Sequence, residues 1–234
     1  MTVADKVCLV TGAARGLGAS VVEQLRAAGA TAVAADRRPG DGIRPMNVTE
    51  VEHWNEVVGE IIDRYGRIDV LVNNAGIIRV QPILEVSPED FRKVIDTNLV
   101  GTFLGMQAVG RHMVAAGSGS IINVGSPASV EGTAGMPAYT SSKFGIRGLT
   151  KTAAIEFGQA GVRVNMVVPG PMRTAMTRRP DWSDEDYEQF YGAKVPLGRM
   201  GETTEVADLI CWLASDASSY CTGGDFHADG GVTA

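Results

Sequence analysis

The sequence predicts a single doubly wound α/β domain over residues 1–234, a seven-stranded parallel sheet with helices on both faces. Three observations predict it. Short apolar runs alternate with longer amphipathic stretches along the whole chain, the pattern of right-handed βαβ crossovers and of a parallel sheet covered on both sides. A glycine-rich turn, Thr11-Gly12-Ala13-Ala14-Arg15-Gly16-Leu17-Gly18, joins the first apolar run to the first amphipathic one. The 234 residues, 44% hydrophobic and 21% charged, suit one α/β domain whose core needs neither disulfide nor metal.

The elements follow in order. Val7-Cys8-Leu9-Val10 reads as the first strand, and a helix from about Gly18 to Ala28 is stopped by Gly29. The second strand is Thr31 to Ala35. A polar turn, Arg37-Arg38-Pro39-Gly40-Asp41-Gly42, leads to a brief strand at Ile43 to Met46. Thr49, with Glu52 three residues on, reads as the capping box of a helix that ends near Tyr65-Gly66. Asp69 to Val72 is the fourth strand. Ser87-Pro88-Glu89-Asp90 is a start signal for a long helical region reaching Ala116. Ser120 to Val124 is the fifth strand, Ala138 to Phe157 a helix, and Val162 to Val168 the sixth strand. A polar, aromatic-dotted segment precedes the last helix, about Thr204 to Ser215, and the last strand, Asp225 to Ala228.

Charge and cysteine content exclude several function classes. A net charge of -6 argues against a nucleic-acid surface. Cys8, Cys211 and Cys221 form no CxxC pair, and His53, His112 and His227 lie far apart, so no metal site is expected and a reducing cytoplasm is the simplest home. The opening residues carry no signal-peptide pattern, and no apolar run approaches the ~20 residues that span a bilayer.

The 11–18 turn sits between a strand and a helix. That context makes its glycines a candidate pyrophosphate cradle: they permit a tight turn and close backbone approach, and the helix N-terminus presents free N–H groups to the anion. Asp36 ends the second strand eighteen residues after Gly18, where an acid accepts hydrogen bonds from ribose hydroxyls and repels a 2′-phosphate. Arg15, Arg37 and Arg38 oppose it, since basic residues there hold such a phosphate. The two influences are comparable, about 1 to 4 kcal/mol for a close pair near a surface. The strand-end position of Asp36 favours NAD, with NADP the alternative. Asn73-Asn74-Ala75-Gly76 closes the fourth strand with small residues and amides, which suits a ligand crevice as well as it suits a plain turn.

Tyr139 and Lys143 are four apart in a helical pattern and share a face. A phenol is a poor base at neutral pH, and a nearby ammonium would lower its pKa so that it can exchange a proton with an alcohol or ketone while hydride moves on the carbon. Taken alone, such a pair is an ordinary surface feature. Its neighbours change the reading. Asn123-Val124-Gly125-Ser126 follows the fifth strand and brings a hydroxyl thirteen residues before Tyr139. Asn98 lies inside a long helix, where it is a mediocre former, so a kink, a water or a polar partner is expected there. Pro169-Gly170-Pro171-Met172-Arg173-Thr174 follows the sixth strand at the same crevice edge.

Together these residues resemble the short-chain dehydrogenase/reductase family, over nearly the whole chain from Val7 to Asp229-Gly230-Gly231. The family's Thr-Gly-x-x-x-Gly-x-Gly loop matches 11–18, its Asn-Asn-Ala-Gly 73–76, its Asn-Ser-Tyr-Lys tetrad Asn98, Ser126, Tyr139 and Lys143, and its Pro-Gly motif Pro169 and Gly170. The resemblance implies a Rossmann-type fold with Tyr139 as acid/base. It assigns Lys143 to ribose binding and pKa lowering, Ser126 to substrate polarisation, and Asn98 to a water in a proton relay. It implies cofactor contacts from Gly12, Arg15, Gly16, Leu17, Gly18, Asp36, Asn47, Val48, Asn74, Ala75, Gly76, Tyr139, Lys143, Pro169, Gly170, Met172 and Thr174. Within the family the chain is similar to bacterial hydroxysteroid dehydrogenases of the 3α,20β type. It departs from the family in three places. Only ten residues separate Asp36 from Asn47, so a helix there is missing or reduced to a turn. An amide, Asn47, stands where many relatives have Asp. Gly125 and Pro127 flank Ser126.

Residues 172–200 are expected to form a substrate lid. Met172, Met176, Trp182, Tyr187, Phe190 and Tyr191 suit an apolar pocket, or equally anchor a short helix near Asp184 to Tyr191. Asp181, Asp184, Glu185, Asp186 and Glu188 make it acidic, which disfavours an anionic substrate. The expected function is an NAD-dependent oxidoreductase interconverting a bulky or cyclic secondary alcohol and its ketone. The alternatives are an NADPH-dependent 3-oxoacyl thioester reductase and a non-catalytic dinucleotide-sensing protein. By the same resemblance the chain forms a homotetramer through helices at about 98–116 and 138–157.

Overall fold

A computed structural model describes residues 2–174, 176 and 181–234. Seven strands, β1 (Val7–Thr11), β2 (Thr31–Asp36), β3 (Ile43–Pro45), β4 (Val70–Asn73), β5 (Gly119–Val124), β6 (Val162–Pro169) and β7 (Asp225–Ala228), form one sheet in the order β3-β2-β1-β4-β5-β6-β7. Every pairing between these strands is parallel. The order reverses between β1 and β4, which opens a crevice at the carboxyl ends of those strands.

Both faces of the sheet are covered at its centre, and β1, β4, β5 and β6 are buried along nearly their whole length rather than at alternate positions. Cys8 and Val10 of β1 face one core with Leu17, Val21 and Leu25 of α1 (Gly16–Ala27) and Val206, Ile210 and Leu213 of α7 (Thr203–Ala214). Val7 and Leu9 face the other. There they meet Trp54, Val57 and Ile61 of α2 (Val51–Tyr65), Met106, Val109 and Met113 of α4 (Gly101–Ala116), and Ala153 and Ala154 of α5 (Pro137–Gly158). The first core thus lies under α1 and α7, the second under α2, α4 and α5. No helix among the described residues is long and apolar enough to cross a membrane.

Two local expectations change. Thr49 does not cap α2: the flanking residue is Glu50, which makes no side-chain cap, and the Thr49 hydroxyl donates to Glu50 Oε1 at 3.1 Å instead. The long helix after Ser87 is not continuous. Ser87 caps α3 (Pro88–Ile95) through the Asp90 N–H at 3.0 Å, and α3 runs through a π turn at Asp96–Val100 into α4. The π turn is centred on Asn98, the residue whose placement predicts an irregularity. The passage between Asp36 and Asn47 holds no helix, only a bridge between Gly40 and Ile43 and the three residues of β3.

Candidate active site

The crevice floor begins at Thr11, the last residue of β1. Its hydroxyl accepts from the Asn74 and Ala75 N–H groups, both at 3.1 Å. Asn74 Nδ2 returns to the Thr11 and Gly12 carbonyls at 2.9 and 3.1 Å. The 11–18 loop and the 73–76 turn are thereby laced into one surface. The glycines are sterically required: a Cβ at Gly12 would lie 2.7 Å from Ala75 Cα, and one at Gly18 would lie 2.4 Å from Gly12 O. The N-terminus of α1 has no side-chain cap, and its first turn has no acid. Its free N–H groups, from Gly16 onward, therefore remain for an external anion. Leu17 itself is buried in the first core, so only its backbone is left for a ligand. Arg15 is exposed at the N-cap.

Asp36 closes β2 as expected. Its two carboxylate oxygens accept from Ala14 N–H at 3.1 Å and Arg38 N–H at 2.8 Å, which fixes the acid at the mouth of the loop. Asn47 is fixed as well. Its N–H donates to His53 Nδ1 at 3.0 Å, its Nδ2 donates to Glu50 Oε1 at 3.2 Å, and its Oδ1 accepts from Thr49 N–H at 3.3 Å. Val48 is buried against the Gly101 end of α4, and its carbonyl accepts from Trp54 Nε1 at 2.9 Å. On the far side, Pro169 ends β6 and Gly170 donates to the Ala228 carbonyl at 3.0 Å. Thr174 lies beside the loop, with its Cγ2 3.6 Å from where a Gly16 Cβ would be, and Met172 bridges to Gly201. Asp36, Asn74, Ala75 and Thr174 thus gather around the 11–18 loop, whose free N–H groups and glycine cradle, with the Asp36 carboxylate, fit a pyrophosphate and a ribose.

The tetrad converges at the other end of that crevice. The Ser126 hydroxyl faces the Tyr139 phenol closely enough to lower its pKa. Lys143 Nζ lies 5.5 Å from the Tyr139 ring centroid and donates to the Val124 carbonyl at 2.7 Å. Burial lowers Lys143 to a pKa of about 8. The phenol is a correction to the sequence expectation. Burial dominates and pushes its pKa above the ordinary value, and the Ser126 hydroxyl pulls it down without prevailing. In the free chain the desolvation cost of a phenolate exceeds what its neighbours return.

Asn98 is fully buried, and its amide is committed. Oδ1 accepts from Ile77 N–H at 2.8 Å, while Nδ2 donates to the Ile77 carbonyl and to Ser142 Oγ, both at 3.0 Å. Its main-chain carbonyl accepts from the Thr102 hydroxyl at 2.7 Å. Sequence reasoning missed Ser142, because a serine inside a helix carries no distinguishing pattern. It also missed the buried ladder Asn73–Asn123–Thr150, in which Asn73 Nδ2 donates to Asn123 Oδ1 and Asn123 Nδ2 to Thr150 Oγ1, both at 2.9 Å. That ladder ties β4, β5 and α5 together beneath the tetrad.

Residues 175 and 177–180 of the expected lid lie outside the described residues. The rest contains α6 (Asp184–Tyr191), opened by a capping box between Ser183 and Asp186. Trp182, Tyr187, Phe190 and Tyr191 pack on one another, with ring centroids 4.9–6.3 Å apart, so these aromatics brace the segment itself. Met200 is buried and Met176 is exposed.

A family model described as enoyl-(acyl carrier protein) reductase matches residues 12–233. The chain is 42% identical to a 3-alpha-(or 20-beta)-hydroxysteroid dehydrogenase of Mycobacterium tuberculosis, over 98% of this chain and 90% of that protein. It is 41% identical to a trans-4-hydroxycyclohexanecarboxylate dehydrogenase of Sinomonas cyclohexanicum, over 99% of this chain and 94% of that one. Among solved structures it superimposes on a gluconate 5-dehydrogenase from Burkholderia cenocepacia, in complex with NADP and tartrate, with a TM-score of 0.92. Identity there is 30%, over 99% of this chain and 96% of the other. With its parallel seven-stranded sheet, its laced glycine loop and these relatives, the chain belongs to the short-chain dehydrogenase/reductase family, nicotinamide-dependent oxidoreductases of alcohols and ketones.

Proposed function

We propose that the protein interconverts a bulky or cyclic secondary alcohol and its ketone with NAD, and that Tyr139 is its acid/base. The observation that carries the proposal is a half-buried phenol beside the Ser126 hydroxyl, with the Lys143 ammonium 5.5 Å from its ring. A bound nicotinamide supplies the hydride acceptor in oxidation and the hydride donor in reduction. Tyr139 Oη takes the hydroxyl proton as the alcohol oxygen becomes a carbonyl, and returns it in the reverse direction. Ser126 Oγ orients the phenol and shares the substrate oxygen. Lys143, still largely protonated at pH 7 with a pKa of about 8, supplies one positive charge beside the phenolate. The cationic form of the oxidised cofactor would supply a second, the one that the up-shifted phenol of the free chain lacks. Asn98 acts by holding the 77 loop and Ser142 in place.

NAD is favoured because Asp36 is fixed at the loop by two backbone N–H groups and presents its charge where a 2′-phosphate would sit. The cyclic-alcohol substrate class rests on the two relatives named for a hydroxysteroid and a hydroxycyclohexane acid. We expect residues 172–200 to cover the substrate, the protein to be cytoplasmic, and the oligomer to be a tetramer. Exposed apolar residues on the faces of α4 and α5, including Phe103, Phe144 and Ile155, support the tetramer, which light scattering tests. The function is tested by a panel of cyclohexanol, trans-4-hydroxycyclohexanecarboxylate, a 3α-hydroxysteroid and an acetoacetyl thioester, each run with both nicotinamide cofactors. Turnover of a cyclic alcohol with NAD is expected. NADPH-dependent reduction of the thioester alone would favour a 3-oxoacyl thioester reductase, and cofactor binding without any turnover would favour a non-catalytic sensor.

A further inference from the structure

The Asp229-Gly230-Gly231 turn after β7 has no part in the chemistry above, yet its conformation is tightly specified. Asp229 is buried, and its carboxylate accepts from the Gly231 N–H at 2.9 Å, the Thr233 N–H at 3.0 Å and the Thr233 hydroxyl at 2.6 Å. The Thr233 hydroxyl also lies 2.7 Å from His227 Nδ1. Burial pushes the Asp229 pKa up, but these bonds outweigh it and hold the carboxyl below its ordinary value. The chain is thereby folded back at residues 230 and 231.

That fold places the turn against the returning root of the 172–200 segment. Gly230 has φ +65°, and a Cβ on it would lie 2.4 Å from Val195 Cγ1. Gly231 has φ +93°, and its Cβ would lie 3.1 Å from Pro196 Cγ. Leu197 N–H donates to the Gly230 carbonyl at 3.2 Å. The same turn meets the outgoing root: a Cβ on Gly170 would lie 2.6 Å from Asp229 Cα. The two roots also join directly, with Gly201 N–H donating to the Pro171 carbonyl at 2.9 Å and Arg173 N–H to the Gly201 carbonyl at 3.4 Å.

We propose that the Asp229-Gly230-Gly231 turn seats both roots of the substrate-covering segment, so that Asp229 and Gly230 are positioning residues for the substrate wall. This rests on the reading that residues 172–200 cover the substrate. A displaced returning root moves the wall at Val195 to Leu197 and not the tetrad, which stands on the π turn, the end of β5 and α5, so substrate affinity changes while the chemical step persists.

The test compares Gly230→Ala with Gly66→Ala. Gly66 has φ +72° and open space around a Cβ, so it reproduces the backbone strain without the collision. Gly230→Ala is expected to raise KM about tenfold for the panel alcohol turned over fastest, with kcat and the NAD Kd within about twofold. Trypsin cleavage within residues 173–199 should speed up about fivefold. Trimming the obstacle with Val195→Ala in the Gly230→Ala background should bring both readouts back toward wild type, a rescue that general destabilisation would not give. The proposal is overturned if Gly230→Ala matches Gly66→Ala in KM and cleavage rate, or if Val195→Ala brings no rescue. Should the wild-type protein turn over no alcohol or ketone, the functional reading fails, and the cleavage arm alone still decides whether the turn seats the segment.

Discussion

Asn98 Nδ2 donates to Ser142 Oγ at 3.0 Å, and Ser142 Oγ donates in turn to the main-chain carbonyl of Tyr139 at 2.7 Å. The π turn of Asp96–Val100 and the start of α5 are therefore joined through one buried hydroxyl, at the main chain of Tyr139. Removing that hydroxyl leaves a buried amide hydrogen unpaired, which costs about 1–3 kcal/mol. We predict that Ser142→Ala lowers stability by that order in urea unfolding. It should lower kcat about tenfold while the NAD Kd stays within about twofold, because the phenol loses its backing and the dinucleotide crevice does not. Equal losses in kcat and cofactor affinity would contradict a positioning role.

Ser126 and the phenol make a second prediction. The Ser126 hydroxyl lowers the Tyr139 pKa against the larger upward push of burial. With Ser126→Ala that opposition is lost. The pKa on the ascending, acidic limb of kcat/KM for alcohol oxidation should move up, and the rate at pH 7 should fall about 10²–10³-fold. An unchanged pH profile would remove Ser126 from the proton-transferring group.

Lys143 trades stability for function. Its pKa falls from 10.5 to about 8 on burial. Between those two pH values the unfolded chain binds more protons at this site, so the site's contribution to stability rises with pH; below about 8 the full cost of burying the charge is present. Lys143→Met should therefore abolish turnover and raise stability at pH 7. The net gain is about 1–2 kcal/mol, once the lost hydrogen bond to Val124 is offset. The gain should shrink as pH climbs from 8 to 10.5, as urea unfolding at pH 7 and pH 10 can read.

Asp36 is predicted to select the cofactor. Asp36→Ala removes the charge held at the loop mouth and leaves Arg37 and Arg38 beside it. The ratio of NADH to NADPH affinity should fall about 10–100-fold, corresponding to roughly 1–3 kcal/mol of repulsion. Isothermal titration with both cofactors measures it, and an unchanged ratio would place the discrimination elsewhere.

Much of this was legible in the sequence because the fold imposes it locally. The runs are near-continuously apolar where both sheet faces are buried, so the strands at Val7 and Val162 could be read within a residue or two. The 11–18 loop was legible because steric collisions at Gly12 and Gly18 leave no alternative residue. Asn98 betrayed the π turn because an amide is poorly suited to a plain helix interior. Other features depend on contacts between distant segments. Ser142 acquires meaning only when the π turn brings Asn98 to it. The α2 start was misread because Thr49-x-x-Glu52 has the letters of a capping box, while Asn47 and Glu50 take up the local hydrogen bonds. The raised phenol pKa was missed because the desolvation of the Tyr139 phenol is a tertiary property that sequence spacing does not reveal. The aromatics of 182–191 show amphipathic spacing but not that they pack on one another.

The central claim is that Tyr139 Oη exchanges the proton while the rest of the site binds and orients. Its most direct test is Tyr139→Phe, assayed for NADH formation with the preferred panel alcohol alongside an NAD binding isotherm. The expected result is a loss of turnover of at least about 10²–10⁴-fold with NAD Kd within about twofold. Turnover at the wild-type rate would contradict it.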